Sequence, residues 1–146
     1  MKLQNQSDFD AVSIFGTGSL NEAYARYFDG QSWLNPLIQT GVCPVALFHV
    51  SFEPGSRNHW HIHHAATGGG QLLICTAGEG WYQKFGQPAV SLKEGSIAFI
   101  PANVKHWHGA RADSWFSHIA LELPGTEQQN QWLEPLDLNE YTALHN

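Results

Sequence analysis

Histidine is concentrated in two short stretches of the chain, and their spacing is the strongest constraint on the fold. The first, His59-Trp60-His61-Ile62-His63-His64, holds four of the nine histidines, and His106-Trp107-His108 holds two more. Side chains two residues apart in a strand point the same way, so each stretch would present a pair of imidazoles on one face. Imidazole nitrogen suits Mn, Fe, Co, Ni, Cu and Zn. We therefore expect the two stretches to meet at one divalent transition metal ion.

Short apolar runs with a period of two surround these stretches and predict strands. Glycine and proline separate the runs, with turns predicted at 53–55, 77–80 and 86–88. The predicted strands are 45–52, 59–63, 71–76, 81–85, 90–92, 97–100, 104–108 and 114–123. Many short strands at regular spacing are typical of an all-β sandwich or small barrel.

The regions outside this series predict short helices. Ser19-Leu20-Asn21-Glu22 has the spacing of a capping box and opens a helix-compatible run to Phe28, and Asn35-Pro36 indicates a turn. Asp137 has the character of a cap for a short final helix. With 146 residues and 42% hydrophobic residues, one domain is expected. Its three parts are an N-terminal arm (1–44), a barrel core (45–123) and a C-terminal tail (124–146).

Charge and composition exclude several classes of partner. The net charge is −6 and the seven basic residues are scattered, which argues against binding to nucleic acid or an anionic membrane. No apolar run is long enough to span a bilayer, and the N-terminus has no apolar signal region. Cys43 and Cys75 form no CxxC motif and read as reduced residues. We expect a cytoplasmic protein whose partners are a small-molecule substrate and a second copy of the chain, the N-terminal arm packing on its own barrel or exchanging between barrels.

Further candidate ligands follow from strand alternation. No carboxylate lies between Glu53 and Glu79, so Gln71 is the obvious oxygen donor at the start of the next strand. His118 and Glu122 are four apart and share a face of a later strand, which would line the same cavity. His49, His59 and His64 are predicted to be surface residues or residues that support the ligands. His145 lies in the tail and has no assigned role.

Two motifs in this series resemble those of the cupin family. Gly55, five further residues and His61-Ile62-His63 resemble the opening of the first cupin motif. Gly95, five residues, Pro101 and then Asn103-Val104-Lys105-His106 resemble the second, with Asn103 where glycine is usual. The resemblance covers 45–123. It implies a cupin-type antiparallel jelly-roll barrel with a metal in its mouth.

Within that family the chain is similar to a small single-domain group. This group includes the cupin hydroxynitrile lyases and the cupins found beside carboxymuconolactone decarboxylase-like proteins. The likeness is carried by Phe52-Glu53-Pro54-Gly55-Ser56-Arg57, Trp60-His61, Lys105-His106-Trp107-His108-Gly109-Ala110 and Ser117-His118-Ile119-Ala120. It implies two sets of residues: the metal ligands His61, His63, Gln71 and His106, and the catalytic acid/base residues His108 and His118.

Two departures from the family pattern affect the chemistry. Gln71 stands where cupins usually have a glutamate ligand, and the loop 64–70 before it is longer than in the similar proteins. Glu122 stands where the lyases typically have glutamine, which changes the charge of the pocket and weighs against cyanohydrin chemistry.

A neutral ligand set favours Lewis-acid chemistry. Three imidazoles and one amide leave a divalent ion its full charge, which favours an anionic or bidentate oxygen substrate. The predicted function is a metal-dependent lyase or isomerase-type enzyme acting on a small carbonyl or hydroxy compound, with histidine moving the proton. The alternatives are an Fe or Mn dioxygenase and a non-catalytic binding cupin. The predicted pocket residues are Phe48, Val50, Trp60, Phe99, Phe116 and Glu122.

Overall fold

A computed structural model of the protein describes residues 1–38 and 41–144; His145 lies outside them. Strands dominate, with two short α-helices, α1 (Gln6–Val12) and α2 (Leu138–Ala143), and one 3₁₀ helix (Glu22–Tyr27). The strands, in chain order from β1 to β14, are Ser19–Leu20, Phe28–Asp29, Ser32–Ile38, Ala46–Phe52, Arg57–Asn58, His61–His64, Thr67–Gly68, Gln71–Lys84, Val90–Lys93, Ile97–Ile100, His106–Ala110, Phe116–Glu122, Gly125–Thr126 and Gln129–Trp132. The predicted all-β antiparallel fold with short terminal helices is confirmed.

The longest strand, β8, joins the two parts of a curled antiparallel sheet. Its first half pairs with β10 and β12, and its second half pairs with β9 and β11. Between these parts lies an apolar core that includes Phe52, Leu73, Ile100 and Phe116, all fully buried. The curl brings β6, β11 and β12 around one cavity, so the histidines of separate strands can meet.

The turn predicted at 77–80 is wrong, because the chain bends there without leaving the sheet. Gly78 adopts a positive φ of 70°, and the pairing of β12 with β8 shifts register at the same level, between Ser117 and His118. A Cβ at Gly78 would lie 1.8 Å from the carbonyl oxygen of Trp115. Glycine therefore marks a bulge in one long strand where the sequence pattern indicates two strands.

The N-terminal segment contributes to the same sheet. β3 pairs with β4 along nearly its whole length, and Asn35-Pro36 lies within β3, not in the turn predicted there. The helix α1 was not predicted. It is capped by Asn5, whose Oδ1 accepts the N–H of Asp8, and is anchored by Phe9, which stacks on Trp115 at 5.1 Å. Exchange of this segment between subunits, and the homodimer, stay predictions.

The C-terminal segment covers the outside of the sheet. Asp137 caps α2 as predicted, because its Oδ1 accepts the N–H groups of Asn139 and Glu140. Tyr141 donates its hydroxyl to the carbonyl of Ala110 and packs in a cluster of tryptophans with Leu136. No helix of the described residues is long and apolar enough to cross a bilayer.

Substitution at Gly78 tests whether its bulge holds the two parts of the sheet together. Gly78→Ala should lower the free energy of unfolding by about 3 kcal/mol, since the left-handed conformation and the overlap with Trp115 both become unfavourable. Gly86→Ala is the matched control, because Gly86 has a similar φ of 75° but nothing within 4 Å of an added Cβ. The free energy of unfolding of Gly86→Ala, measured in urea, should fall by only about 1 kcal/mol, the cost of the left-handed conformation alone. Equal losses in the two variants would contradict the role given to Gly78.

Candidate metal centre and adjoining pocket

Three buried histidines from the two histidine stretches lie together. His61 and His63 lie on β6, and the pairing of β6 with β11 sets His106 directly opposite His61. The ring centroids of His61 and His106 are 4.1 Å apart. One ring nitrogen from each of the three residues lies within 4.8 Å of the others. The predicted meeting of the two stretches is confirmed, and this cluster can hold a metal ion.

The second nitrogen of each ring is held by an oxygen atom. Nδ1 of His61 lies 2.8 Å from the carbonyl of His59, and Nδ1 of His106 lies 2.8 Å from that of Val104. Nδ1 of His63 lies 2.7 Å from Oδ1 of Asn130. An oxygen acceptor requires N–H at Nδ1, so each Nε2 keeps its lone pair.

This pattern fits a metal ligand set. The Nε2 atoms of His63 and His106 are buried and have no hydrogen-bond partner among the described residues. Histidine ligands of metals commonly donate the other ring N–H to a carbonyl or carboxylate, which fixes the ring. Two unsatisfied lone pairs inside a protein are costly unless a cation or another donor satisfies them. The arrangement therefore favours a cation among these three rings.

Burial also keeps the rings of His61 and His106 in the form that binds metals. Desolvation lowers the pKa of His61 well below its usual value, with the neighbouring His106 and His63 adding to the effect. Desolvation lowers the pKa of His106 to about 4, and the carbonyl of Val104 opposes this only in part. Neutral imidazole is the metal-binding form, so little proton competition is expected at neutral pH.

Gln71 lies at the start of β8 in the same cavity. Its side chain is buried, and its Oε1 has no hydrogen-bond partner within residues 1–38 and 41–144. Glu122 is its direct neighbour on β12 in the sheet. The carboxylate of Glu122 lies 3.5 Å from Nδ1 of His63, the nitrogen that Asn130 also contacts. A buried amide oxygen in the same cavity is compatible with ligation, and the role of Gln71 as the fourth ligand stays a prediction.

His108 and His118 form a second histidine pair in the cavity. Nδ1 of His108 lies 3.3 Å from Nε2 of His118, and both side chains are buried. Burial lowers the pKa of His118 to about 3 and that of His108 well below its usual value. Both rings are therefore neutral at physiological pH, with one proton each to share between them and a bound molecule.

Three further histidines lie outside the cluster. His59 precedes β6, and its Nε2 lies 3.7 Å from Asp29. His64 points away from the cavity and contacts Oε1 of Gln131. His49 is fully buried next to Thr76 at 3.0 Å and does not line the cavity.

The cavity has a volume of about 370 Å³ and a largely apolar wall. Phe48, Val50 and Glu122 line it as predicted. The other apolar lining residues are Tyr24, Phe28, Leu34, Phe52, Ala120 and Trp132. The aromatic share of this wall suits a flat apolar group of a small molecule.

Three predicted pocket residues do not line the cavity. Trp60 precedes His61, faces the other side of the sheet and packs with Trp107 beneath the C-terminal segment. Phe99 is 56% exposed, because Ala98 and Ile100 are the inward residues of β10. Phe116 is fully buried in the core behind Phe52 and His118.

Residues from both ends of the chain complete the site and were not predicted. β14 pairs with β6, which sets Asn130 beside His63 and Trp132 opposite His61. The Trp132 ring lies 4.7 Å from that of His61 and stacks on Tyr27 at 4.6 Å. Gln129-Asn130-Gln131-Trp132 is polar up to its last residue, so the apolar–polar pattern of the sequence gives no signal for this strand.

Comparison with known proteins identifies the family to which the chain belongs. Residues 48–117 match the Cupin domain family. The chain is 32% identical over 131 residues to an (R)-mandelonitrile lyase of Granulicella tundricola, covering 89% of this chain and 97% of that protein. The chain belongs to the cupin family.

Solved cupin structures share its fold. A cupin-like protein of Thermotoga maritima is 38% identical, with a TM-score of 0.77 over 90% of this chain and 96% of the other. The DMSP lyase DddQ of Ruegeria pomeroyi is 21% identical, with a TM-score of 0.59 over 82% of this cupin and 58% of that chain. The second likeness concerns the fold alone.

Variants of this cupin can test the metal centre directly. His106→Ala should abolish binding of zinc in calorimetric titration, because it removes one of three convergent nitrogens. Gln71→Leu should lower the affinity for zinc by at least about tenfold. A loss of that size is typical even for residues that only hold a ligand in place, so a ligand itself should cost no less. His64→Ala is the control and should bind zinc like the parent protein. Unchanged affinity in His106→Ala would rule out this centre.

The buried neutral histidines predict a pH-dependent stability of the metal-free cupin. Their pKa values are lowered on folding, so the unfolded chain binds more protons below pH 6.5. The free energy of unfolding should therefore fall as the pH decreases from 6.5 towards 4, by up to about 1.4 kcal/mol per pH unit for each histidine. Urea unfolding at several pH values measures this slope. His118→Gln should reduce this slope by the contribution of one histidine. A free energy of unfolding that does not change with pH in the parent protein would contradict the lowered pKa values.

Proposed function

We propose that this cupin is a metal-dependent lyase acting on a small aromatic hydroxy or carbonyl compound. The observation that carries the proposal is the placement of two histidine groups on one aromatic cavity. One group offers convergent lone pairs from His61, His63 and His106, and the other is the neutral pair His108–His118.

The residues that would hold the ion are His61, His63 and His106, with Gln71 as a fourth ligand. A bound divalent ion supplies Lewis acidity towards an oxygen of the substrate. All four side chains are neutral donors, which supports Lewis-acid chemistry, since no ligand charge offsets that of the ion. The metal identity follows from none of these groups, because imidazole and amide donors suit several divalent ions.

The pair His108–His118 would move the proton. In a lyase reaction on an α-hydroxy compound, a ring nitrogen of the pair accepts the hydroxyl proton while the carbonyl C=O bond forms. The bond from that carbon to the leaving group breaks, and its electron pair departs with the leaving group. The leaving group then takes the proton from the pair, so the histidines are regenerated and no oxidant is required.

The cavity wall favours an uncharged, flat substrate over the anionic one expected from the neutral ligand set alone. Tyr24, Phe28, Phe48, Phe52 and Trp132 provide aromatic surface. Among the described lining residues there is no lysine or arginine, and Glu122 is the one carboxylate. An anionic group on the substrate would therefore gain attraction only from the ion and would meet repulsion from Glu122.

The relative from Granulicella tundricola adds independent support for this class of reaction. Its name is that of a lyase for mandelonitrile, a compound with an aromatic ring and an α-hydroxyl group. An aromatic wall and a histidine pair next to the candidate metal centre suit both groups. Glu122 in the wall weighs against a cyanohydrin, so mandelonitrile is assayed first and beside other aromatic α-hydroxy compounds.

The test is release of benzaldehyde from mandelonitrile by the protein loaded in turn with Mn, Fe, Co, Ni or Zn. His118→Ala should lower kcat by about 10²–10⁴-fold, the usual contribution of a general acid or base, and should keep its metal. His64→Ala, which lies outside the cavity, should retain full activity.

Two outcomes would contradict the lyase proposal. Oxygen uptake by the iron-loaded protein, in place of non-oxidative cleavage, would favour a dioxygenase. Metal binding without turnover of mandelonitrile or of other aromatic α-hydroxy compounds would favour a binding protein.

A further inference from the structure

We infer that Asn130 is a positioning residue of the candidate metal centre, which holds the ring hydrogen of His63 and keeps it from the carboxylate of Glu122. The inference rests on the proposed function, because it takes His63 as a metal ligand, and it adds how much negative charge reaches that ligand. Asn130 belongs to β14, outside the region 48–117 that matches the Cupin domain family.

Two oxygen acceptors lie close to one nitrogen of His63. Oδ1 of Asn130 is 2.7 Å from Nδ1, and Oε1 of Glu122 is 3.5 Å from the same atom. Strand pairing brings Asn130 there, because β14 sets it directly opposite His63 on β6. Glu122 reaches the ring from β12, across the cavity that all three residues line. A neutral imidazole has one N–H, so the two oxygens compete for a single hydrogen.

The surroundings of Nδ1 place that hydrogen on it. The carboxylate of Glu122 can only accept, so a lone pair on Nδ1 would face its negative charge, whereas an N–H suits it. A metal ion held at Nε2 requires the same arrangement, because Nε2 must then offer its lone pair. With hydrogen on Nδ1, the amide of Asn130 must present its oxygen to the ring.

The distances assign the hydrogen to Asn130. The 2.7 Å contact is that of a hydrogen bond, whereas 3.5 Å lies beyond the usual N–H···O range of about 2.7–3.2 Å. Within residues 1–38 and 41–144, the ring of His63 is the only ion-pair partner of Glu122, so no lysine or arginine holds its carboxylate elsewhere. The flexible side chain of Glu122 could therefore take over the hydrogen if the amide were absent.

The identity of the acceptor sets the donor strength of His63. A carboxylate would accept a charge-assisted hydrogen bond and raise the basicity of the ring, which would tighten metal binding and offset more of the charge of the ion. An amide oxygen holds the ring in place without adding charge. Asn130 therefore preserves the Lewis acidity of the proposed centre, at some loss of metal affinity.

A double-mutant cycle with zinc, followed by calorimetric titration, tests this assignment. Asn130→Leu should raise the affinity for zinc by about tenfold, because Glu122 then accepts the N–H of His63. In a protein that also carries Glu122→Leu, the same substitution leaves the N–H without an acceptor and should lower the affinity by about tenfold. Asn130 is exposed, so its replacement removes no core packing.

Gln131→Leu is the matched control for this cycle. Gln131 is the next residue of β14, and its Oε1 makes the same 2.7 Å contact with a histidine, His64, that lies outside the metal cluster. The affinity for zinc should therefore stay that of the parent protein.

¹⁵N–¹H correlation spectra of the zinc-loaded protein give a second readout. The Nδ1–H signal of His63 should move to lower field in Asn130→Leu, because a carboxylate is the stronger acceptor. It should stay close to its parent position in Glu122→Leu, which keeps the amide. A role of Asn130 in folding alone would not produce this pair of results.

The contrary results are distinct. An equal change of zinc affinity for Asn130→Leu with and without Glu122 would overturn the inference. A His63 signal that moves to higher field in Glu122→Leu would also overturn it, and this result needs no variant of Asn130. The expected affinities and spectra without lyase activity would refute the proposed function and leave the role of Asn130 supported. A parent protein that binds no zinc would overturn both.

Discussion

The pairing of His61 with His106 across two antiparallel strands is the contact on which the whole site depends. It makes one shared cluster from two histidine stretches that are far apart in sequence. A slip of one residue in this register would turn one stretch to the opposite face of the sheet. Buried side chains on both faces oppose such a slip. Trp60 and Trp107 are buried on one face of the sheet, and the imidazoles are buried on the other. Packing on the outer face therefore secures the ligand geometry inside.

Segments outside the matched barrel region give this cupin its own cavity. The 3₁₀ helix Glu22–Tyr27 supplies Tyr24, and the C-terminal strand β14 supplies Asn130 and Trp132. β13 also pairs with β7 inside the loop that precedes Gln71. The histidines are thus placed by the barrel, whereas the shape of the space above them is set by the chain ends. This division explains how one fold can serve many reactions.

Strand alternation predicts that the two histidine stretches present imidazoles to one face, because two-residue spacing fixes the face of a side chain wherever the strand is regular. The choice of His61, His63 and His106 among them comes from the resemblance to cupins. Alternation failed where the strand is irregular or the contact is distant. Gly78 reads as a turn residue, yet the backbone bends within β8. Asn130 carries no periodic signal, since it contacts His63, 67 residues earlier in the chain. Phe99 is predicted as a pocket residue from its type alone, and hydrophobicity does not say which side of an edge strand is covered.

Glu122 places a negative charge close to the candidate ligands, although none of those ligands is itself charged. Gln71 leaves the candidate ligands without a carboxylate, but Glu122 lies next to it in the sheet and 3.5 Å from Nδ1 of His63. The Nδ1 hydrogen of His63 is directed at Asn130, so Glu122 acts on this ring only through its charge. Its side chain is about one-third exposed, so solvent screens part of its charge. In the proposed metal centre the nearest carboxylate would therefore stand outside the ligand set, and an ion there would keep more of its charge than one bound by a glutamate.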